Sequence, residues 1–323
     1  MKKTVFFAAA VLLVLTSGLY AGGGKEKSSG EELPARIRMA TGGNTGTYYA
    51  YGSAVGQILK EKTGIDVIVQ STGASKANIQ LMDAGEVELA LVQNDVMDYA
   101  WRGVDLFNGT KIQSFSALAA LYPEAIQVVA TSAIKTIADL KGKSVSVGDA
   151  GSGTEFNAWQ ILAAYGIATT DINKQNLSFG ASAEALRDGK IDAFFCVAGA
   201  PTTAITELAI SKDVVLLEID DAHAAQIIQQ YPFYAKFNVP AGSYRGTNKN
   251  TQTLAVKSTL IVSPKLSEAA VYILTKALFE NKDAIGAAHA KGKELDPGYA
   301  VSSISTPFHP GATKYFKEIG AMK

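Results

Sequence analysis

Thr45-Gly46-Thr47-Tyr48-Tyr49 and Ser152-Gly153-Thr154-Glu155-Phe156 are one pattern written twice. Each copy follows a strand-like stretch and opens a helix-like one. Each is followed, at nearly the same distance, by a second matching piece. The first is Met82-Asp83-Ala84-Gly85-Glu86-Val87-Glu88 and the second Leu186-Arg187-Asp188-Gly189-Lys190-Ile191-Asp192. A hydroxyl–glycine–hydroxyl turn at a helix start leaves several backbone N–H groups without an intrahelical partner and aims them at one point. Two such turns, one per lobe, describe a cleft that grips an anion from both sides.

Outward from these turns the chain alternates strand and helix. Residues 36–40 read as a strand with Ile37 and Met39 on one face. The helix after the first turn carries Tyr48, Tyr51, Val55, Ile58 and Leu59 on one stripe and stops at Gly64. Residues 66–70 form the next strand, and Ser75 is a good N-cap for a helix through Met82. Residues 89–92 are a continuous apolar strand of the kind found inside a parallel sheet. Such alternation argues for βαβ units with right-handed crossovers. Two apolar runs, residues 115–121 and 126–130, flank Tyr122-Pro123-Glu124 and read as one long strand crossing between two lobes. The same grammar then restarts: a short helix and turn at 137–143, a strand at 145–148, the second turn, and helices at 156–165 and up to Leu186. Strands follow at 193–197 and 214–218. Residues 253–262 and a helix at 267–281, apolar on Ala270, Ile273, Leu274, Ala277 and Leu278, return to the first lobe. The predicted fold is α/β and two-lobed, with a βαβ sheet in each lobe, a discontinuous first lobe (residues 34–124 and 219–323), a second lobe (125–218), and a hinge beside a ligand cleft.

Composition narrows the function. The 323 residues suit two ordinary domains, and 47% hydrophobic content is enough for a sizeable core. The formal charge is +0; loss of Lys2 and Lys3 with a cleaved N-terminus gives 0 − 2 = −2. A near-neutral to acidic chain argues against nucleic acid as a partner. Lys2 and Lys3, the apolar run at 5–15 and the small residues after it read as a signal peptide spanning residues 1–21, cleaved after Ala21. Residues 22–33 read as a flexible Gly/Ser/charged tether. The single cysteine, Cys196, is no lipid-anchor site and forms neither an internal disulfide nor a multi-thiolate metal site; beside Phe194, Phe195 and Val197 it reads as a buried structural thiol.

The glycine-rich turns are not nucleotide motifs. Residues 42–47 lack the lysine of a Walker loop, and the glycines of Gly148-Asp149-Ala150-Gly151-Ser152-Gly153 are in the wrong order for a dinucleotide fingerprint. Free helix N–H groups with Thr and Ser hydroxyls favour a carboxylate, at roughly 0.3–1 kcal/mol per exposed terminus. Taken singly, each turn is equally an ordinary helix cap by Thr45 or Ser152; their repetition in matching contexts favours a ligand. His223, His289 and His309 are far apart and lack metal spacing, and His309 reads as a capping or packing residue. Gly151-Ser152-Gly153 is not a nucleophile elbow, although a triad assembled by the fold around Ser152, making a secreted hydrolase, stays open as an alternative. Tyr48 is placed to wall the pocket. Gln93 ends a buried strand at its carboxyl side, where ligands sit in open α/β sheets, and its amide reads an ammonium or a second carboxylate. The candidate ligand-binding set is Gly43, Asn44, Thr45, Gly46, Tyr48, Thr72, Gln93, Ser152, Gly153 and Thr154, with no catalytic residue, metal or cofactor expected.

Ile37-Arg38-Met39-Ala40-Thr41-Gly42-Gly43-Asn44-Thr45-Gly46-Thr47-Tyr48-Tyr49 resembles the signature start of the TAXI-type solute receptors, the extracytoplasmic binding subunits of tripartite ATP-independent periplasmic (TRAP) transporters. Val147-Gly148-Asp149-Ala150-Gly151-Ser152-Gly153-Thr154 and Phe308-His309-Pro310-Gly311-Ala312 are similar to further motifs of that family. The resemblance runs over residues 34–323. It implies a periplasmic binding protein fold, a monomer, that closes on a small organic anion. Family ligands include glutamate- or glutamine-like amino acids and dicarboxylates such as 2-oxoglutarate. It also implies delivery to integral membrane permease subunits driven by an ion gradient. A ligand sensor that docks a signalling receptor in the periplasm is the alternative of a different class.

Overall fold

The doubled sequence pattern is a doubled supersecondary unit. In the first copy β1 (Arg36–Ala40), α1 (Thr47–Thr63), β2 (Asp66–Gln70), α2 (Ser75–Asp83) and β3 (Leu89–Gln93) follow one another, and β1 lies between β2 and β3 with both pairings parallel. Next come α3 (Asn94–Arg102) and the 16-residue β4 (Ser116–Thr131). In the second copy β5 (Ser144–Ser146), α4 (Gly153–Ala164), β6 (Asn173–Gln175), α5 (Phe179–Arg187) and β7 (Ala193–Ala198) repeat the order, and β5 lies between β6 and β7, again parallel. These observations come from a computed structural model that describes residues 33–323. The expected signal peptide, and the expected tether apart from Leu33, lie outside the described residues.

The second halves of the two motifs have one structural task. Gly85 follows α2 at φ 74° and Gly189 follows α5 at φ 72°, a left-handed turn that glycine enters without steric cost. Three residues on, an acid ties the incoming strand to the first strand of its unit. The Glu88 N–H donates to Arg38 O at 3.0 Å, and the Glu88 carboxylate accepts the Arg38 N–H at 2.7 Å. The Asp192 N–H donates to Ser144 O at 2.8 Å, and the Asp192 carboxylate accepts the Ser144 N–H at 2.9 Å.

The chain continues through α6 (Thr203–Ser211), β8 (Val214–Leu217), α7 (Asp221–Gln230), β9 (Ala235–Val239) and β10 (Thr251–Val262), and ends with α8 (Glu268–Glu280), α9 (Lys282–Ala288), α10 (Pro297–Val301) and α11 (Pro310–Glu318). The strand order is β2-β1-β3-β10-β4-β7-β5-β6, with β8 on β4 and β9 on β10. The expected pair of separate sheets is therefore one mixed ten-stranded sheet. The reason is that β4 and β10 are both long and pair antiparallel from Ser116–Val262 to Ala125–Ala255, so no gap opens between the halves. The expected long crossing strand is β4.

Hydrophobic packing divides the molecule in two. On one side Ile37, Met39, Tyr51 and Leu59 pack with Leu121, Leu274 and Phe316, while Ile79, Val92 and Met97 fill the opposite face of the sheet. On the other side Val145, Ile161 and Phe195 pack with Ile126 and Val128, and Leu186, Phe194 and the free, buried Cys196 fill the opposite face. Ile219, Ile227, Tyr234, Leu254 and Val256 belong to this second core, whereas Leu260 and Val262 belong to the first. The expected return to the first lobe at residue 219 is thus corrected: the chain returns within β10, because only its last residues face the first core.

The third motif is a joint between two helices. His309 caps α11: its Nδ1 accepts the Gly311 N–H at 3.2 Å and its Nε2 bonds Leu266 O at 3.1 Å. Gly311 lies against the start of α8, where a Cβ would come within 2.3 Å of Glu268 O. Glu88→Ala and Asp192→Ala should each lower stability by about 1–2 kcal/mol, read as a fall in urea midpoint at unchanged slope. Gly311→Ala should cost about 1–3 kcal/mol, because α11 must back away from α8.

Candidate functional site

The starts of α1 and α4, one from each half, face a single cavity of about 40 Å³. Seven of the ten predicted residues line it: Gly43, Gly46, Tyr48, Gln93, Ser152, Gly153 and Thr154. The structure keeps the other three off the lining. Asn44 is exposed. Thr45 accepts the Ala204 N–H on its carbonyl at 3.2 Å, and its side chain faces Gly180. Thr72 Oγ1 bonds Thr41 O at 2.9 Å and the Asn78 side chain, which pins the loop before α2.

Capping also differs between the two turns. Ser152 caps α4 as expected, its Oγ accepting the Glu155 N–H at 3.1 Å. Thr45 does not cap α1; Gly46 holds the N-cap position without a side-chain bond, so the first-turn N–H groups of α1 receive no hydroxyl. Thr47 Oγ1 instead donates to Gly199 O at 2.9 Å, tying the start of α1 to the segment after β7. Ser75 is the first residue of α2 and not its cap. Ala74 occupies that position at φ 67°, and Ser75 Oγ accepts the Gln93 N–H at 3.1 Å.

Gln93 lies directly on Gly153. A Cβ at residue 153 would fall 1.7 Å from Gln93 Oε1, so it is the glycine that lets the Gln93 side chain lie in its present place against the start of α4. Behind this contact the halves are linked by buried polar groups. Asn157 Nδ2 donates to Asp95 Oδ2 at 2.8 Å and to Tyr234 Oη at 2.7 Å, while Gln160 Nε2 donates to Tyr99 Oη at 3.2 Å. Burial pushes the Asp95 carboxyl up to about 6, although the bond from Asn157 opposes it.

The lining also contains residues the candidate set omits, among them Thr47, Ser75, Glu124, Asp149 and Phe179. Glu124 is the most consequential. It sits in β4 and is 1% exposed, and its Oε2 accepts a bond from Gln93 Nε2 at 3.4 Å. Its signal in the sequence was the charged residue between two apolar runs that had to form one buried strand. Asp149 follows the left-handed Gly148 in the second turn; Phe179 carried no signal. Burial raises both acids, Glu124 to about 8. Among the described residues no Lys, Arg or His lines the cavity.

A carboxyl whose folded value exceeds its ordinary one is destabilising only when ionised. The penalty at Glu124 is absent below the ordinary carboxyl value, grows as pH rises, and levels off above about 8. Glu124→Gln should therefore melt higher than the unaltered protein by ~5 °C or more near pH 8, with most of the gap gone near pH 5, in thermal scans of both proteins.

The arrangement is one of recognition. None of the three histidines lines the cavity, and Ser152 Oγ is engaged as a cap. Among the described residues no group of three His, Cys, Asp or Glu side chains could hold a metal, and no helix is long and apolar enough to cross a membrane.

Comparison with known proteins agrees with this picture. A sequence model described as the NMT1-like family matches residues 39–320. The alkanesulfonate-binding protein SsuA from Xanthomonas axonopodis pv. citri, bound to MOPS, is 15% identical, with a TM-score of 0.53 over 90% of this chain and 81% of that one. A protein from Bordetella bronchiseptica RB50 is 19% identical, with a TM-score of 0.52 over 90% of each chain. A structure described as a periplasmic transporter is 18% identical, with a TM-score of 0.52 over 88% of this chain and 92% of that one. At such identities the likeness is one of fold. The chain has the two-lobed α/β fold of the periplasmic binding proteins, and it belongs to the NMT1-like family.

Proposed function

We propose that this chain is a periplasmic solute receptor that closes its two halves on a small organic anion and passes it to a membrane transporter. The observation that carries the reading is the convergence of the α1 and α4 N-termini, one per half, on one cavity. Each N-terminus presents unpaired N–H groups and the positive end of a helix dipole. Gly43, Gly46, Tyr48, Gln93, Ser152, Gly153 and Thr154 are the proposed ligand contacts. The alkanesulfonate-binding protein of like fold takes an anion too.

At about 40 Å³ the cavity exceeds the ~10–15 Å³ that one water needs on the same measure but is small for an organic anion. A larger ligand enters only as Gln93 leaves Gly153 and the halves part, with β4 and β10 as the connecting strands. Closure then removes water from the bound carboxylate, and the ligand shifts the open–closed balance by its differential affinity.

The three sequence motifs support a finer reading. On it the receptor is of the TAXI type, residues 1–21 direct it to the periplasm, and its partner is a TRAP permease driven by an ion gradient. Proteoliposomes carrying that permease and this receptor should take up solute on an imposed ion gradient without ATP. Uptake that requires ATP overturns the TRAP assignment and leaves solute binding intact.

Calorimetric titration of refolded, ligand-free protein tests the receptor reading itself. The panel is L-glutamate, L-glutamine, 2-oxoglutarate, C4 dicarboxylates and an alkanesulfonate, and saturable binding with a raised melting temperature is expected for at least one. A flat response to every compound sinks the proposal. Thr154→Ala should weaken the ligand found by about fivefold, the loss of one hydrogen bond. Gly153→Ala should weaken it by tenfold or more (~1.4 kcal/mol), because a methyl group there props Gln93 and α4 apart.

A further inference from the structure

Five buried polar atoms without a hydrogen-bond partner gather around one carboxyl: Glu124 Oε1, Gln93 Oε1, Tyr48 Oη, Tyr122 Oη and Ser258 Oγ. A packed core does not carry such a set, since each orphaned group costs about 1–3 kcal/mol. Glu124, Gln93 and Tyr48 also line the ligand cavity. Each can accept: a carboxylate oxygen, a carboxamide oxygen, and a phenol oxygen whose own O–H is directed to the Glu124 carboxyl. Among the described residues the lining holds a second acid, Asp149, and no cationic side chain. A dicarboxylate that lacks an ammonium would place its second charge among acids with nothing positive to answer it. An ammonium carries three donors and no acceptor, and so matches three convergent oxygens.

We propose that Glu124 selects the ligand: the pocket takes an amino acid whose carboxylate lies at the starts of α1 and α4 and whose ammonium is held by Glu124, with Gln93 Oε1 and Tyr48 Oη completing its donors. This rests on the receptor reading and narrows it, setting aside dicarboxylates that lack an ammonium. Burial raises the Glu124 carboxyl to about 8 in the free protein, so it must give up its proton to hold a cation near neutral pH, and binding releases a proton to solvent. The groups facing it are Tyr48 on α1, Gln93 on β3, Asp95 on α3, Tyr122 beside it on β4, Cys196 on β7, Ser258 on β10 and Tyr299 on α10. The nearby Lys291 ammonium is already bound to Glu294 at 2.7 Å and lies 5.9 Å from the Tyr122 ring centroid. Glu124 is thus free to serve a ligand.

The test pairs each amino acid with its deaminated counterpart: L-glutamate with glutarate and 2-oxoglutarate, and L-glutamine with glutaramate. The unaltered protein should bind one amino acid about 100-fold more tightly than its counterpart, and Glu124→Gln should bring that ratio close to one. Titration near pH 7 in buffers of different ionisation heat should show a proton released with the amino acid, a release that vanishes in Glu124→Gln. Tyr48→Phe, which keeps the ring and loses only the oxygen, should weaken the amino acid about fivefold. Equal affinity for both members of each pair, or a ratio unchanged by Glu124→Gln, overturns the inference while the receptor reading stands. If neither member of any pair, nor any other compound of the panel, binds, the receptor reading falls and this inference with it.

Discussion

Antiparallel pairing of β4 with β10 is the constraint on which the rest is arranged. These two strands run through both hydrophobic cores, so each half is built on a ribbon that the other half shares. The ribbon is irregular where it passes the site. Ser258 pairs with Tyr122, but Thr259 pairs with Ala120, which leaves Leu121 unmatched. Such a bulge turns the side chains beside it and sharpens the local twist. Tyr122 and Ser258 flank this irregularity, and Glu124 lies two residues further along β4. A regular ladder would set these side chains in strict alternation; the bulge re-aims those beside it.

The polar chemistry at the junction is expensive for the free protein. Two carboxyls, Glu124 and Asp95, are buried where the halves meet, and both are held above their ordinary values because burial disfavours the charged form. Asp95 is compensated by the Asn157 amide and the Val96 N–H at 2.8 Å. Glu124 has the long bond from Gln93, with the Tyr48 and Ser258 hydroxyls near it. This asymmetry separates the structural acid from the one turned toward the cavity. Local strain that serves binding is stored in sites of this sort and offset by packing elsewhere.

Much of the fold was legible from periodicity and glycine placement. Tyr48, Tyr51, Val55, Ile58 and Leu59 are all buried on α1, and Gly64 ends that helix in the left-handed conformation. The crossing strand was legible too, since an apolar run of its length had nowhere else to go. What periodicity could not convey was the union of two sheets into one, because strand partnership is a long-range property. The missed β9 shows the same limit: Ala235–Val239 has a mostly exposed pattern and earns its place only by pairing with β10. The boundary at residue 219 failed for a related reason, since a local reading does not reveal which core a helix such as α7 will face.

The site divides in the same way. By itself the sequence determined the repeated unit, the two helix starts, the glycines at 46 and 153 and the buried strand ending in Gln93, because capping, periodicity and glycine conformation are local properties of the chain. Tertiary structure alone decided which of those groups share a cavity. It turned Thr45 and Thr72 to backbone duties, laid Gln93 on Gly153, and set Glu124 beside Tyr48 and Ser258. Residues 48, 124 and 258 meet only because three separate elements pack together, and burial, which sets the charge state of Glu124, exists only once they do.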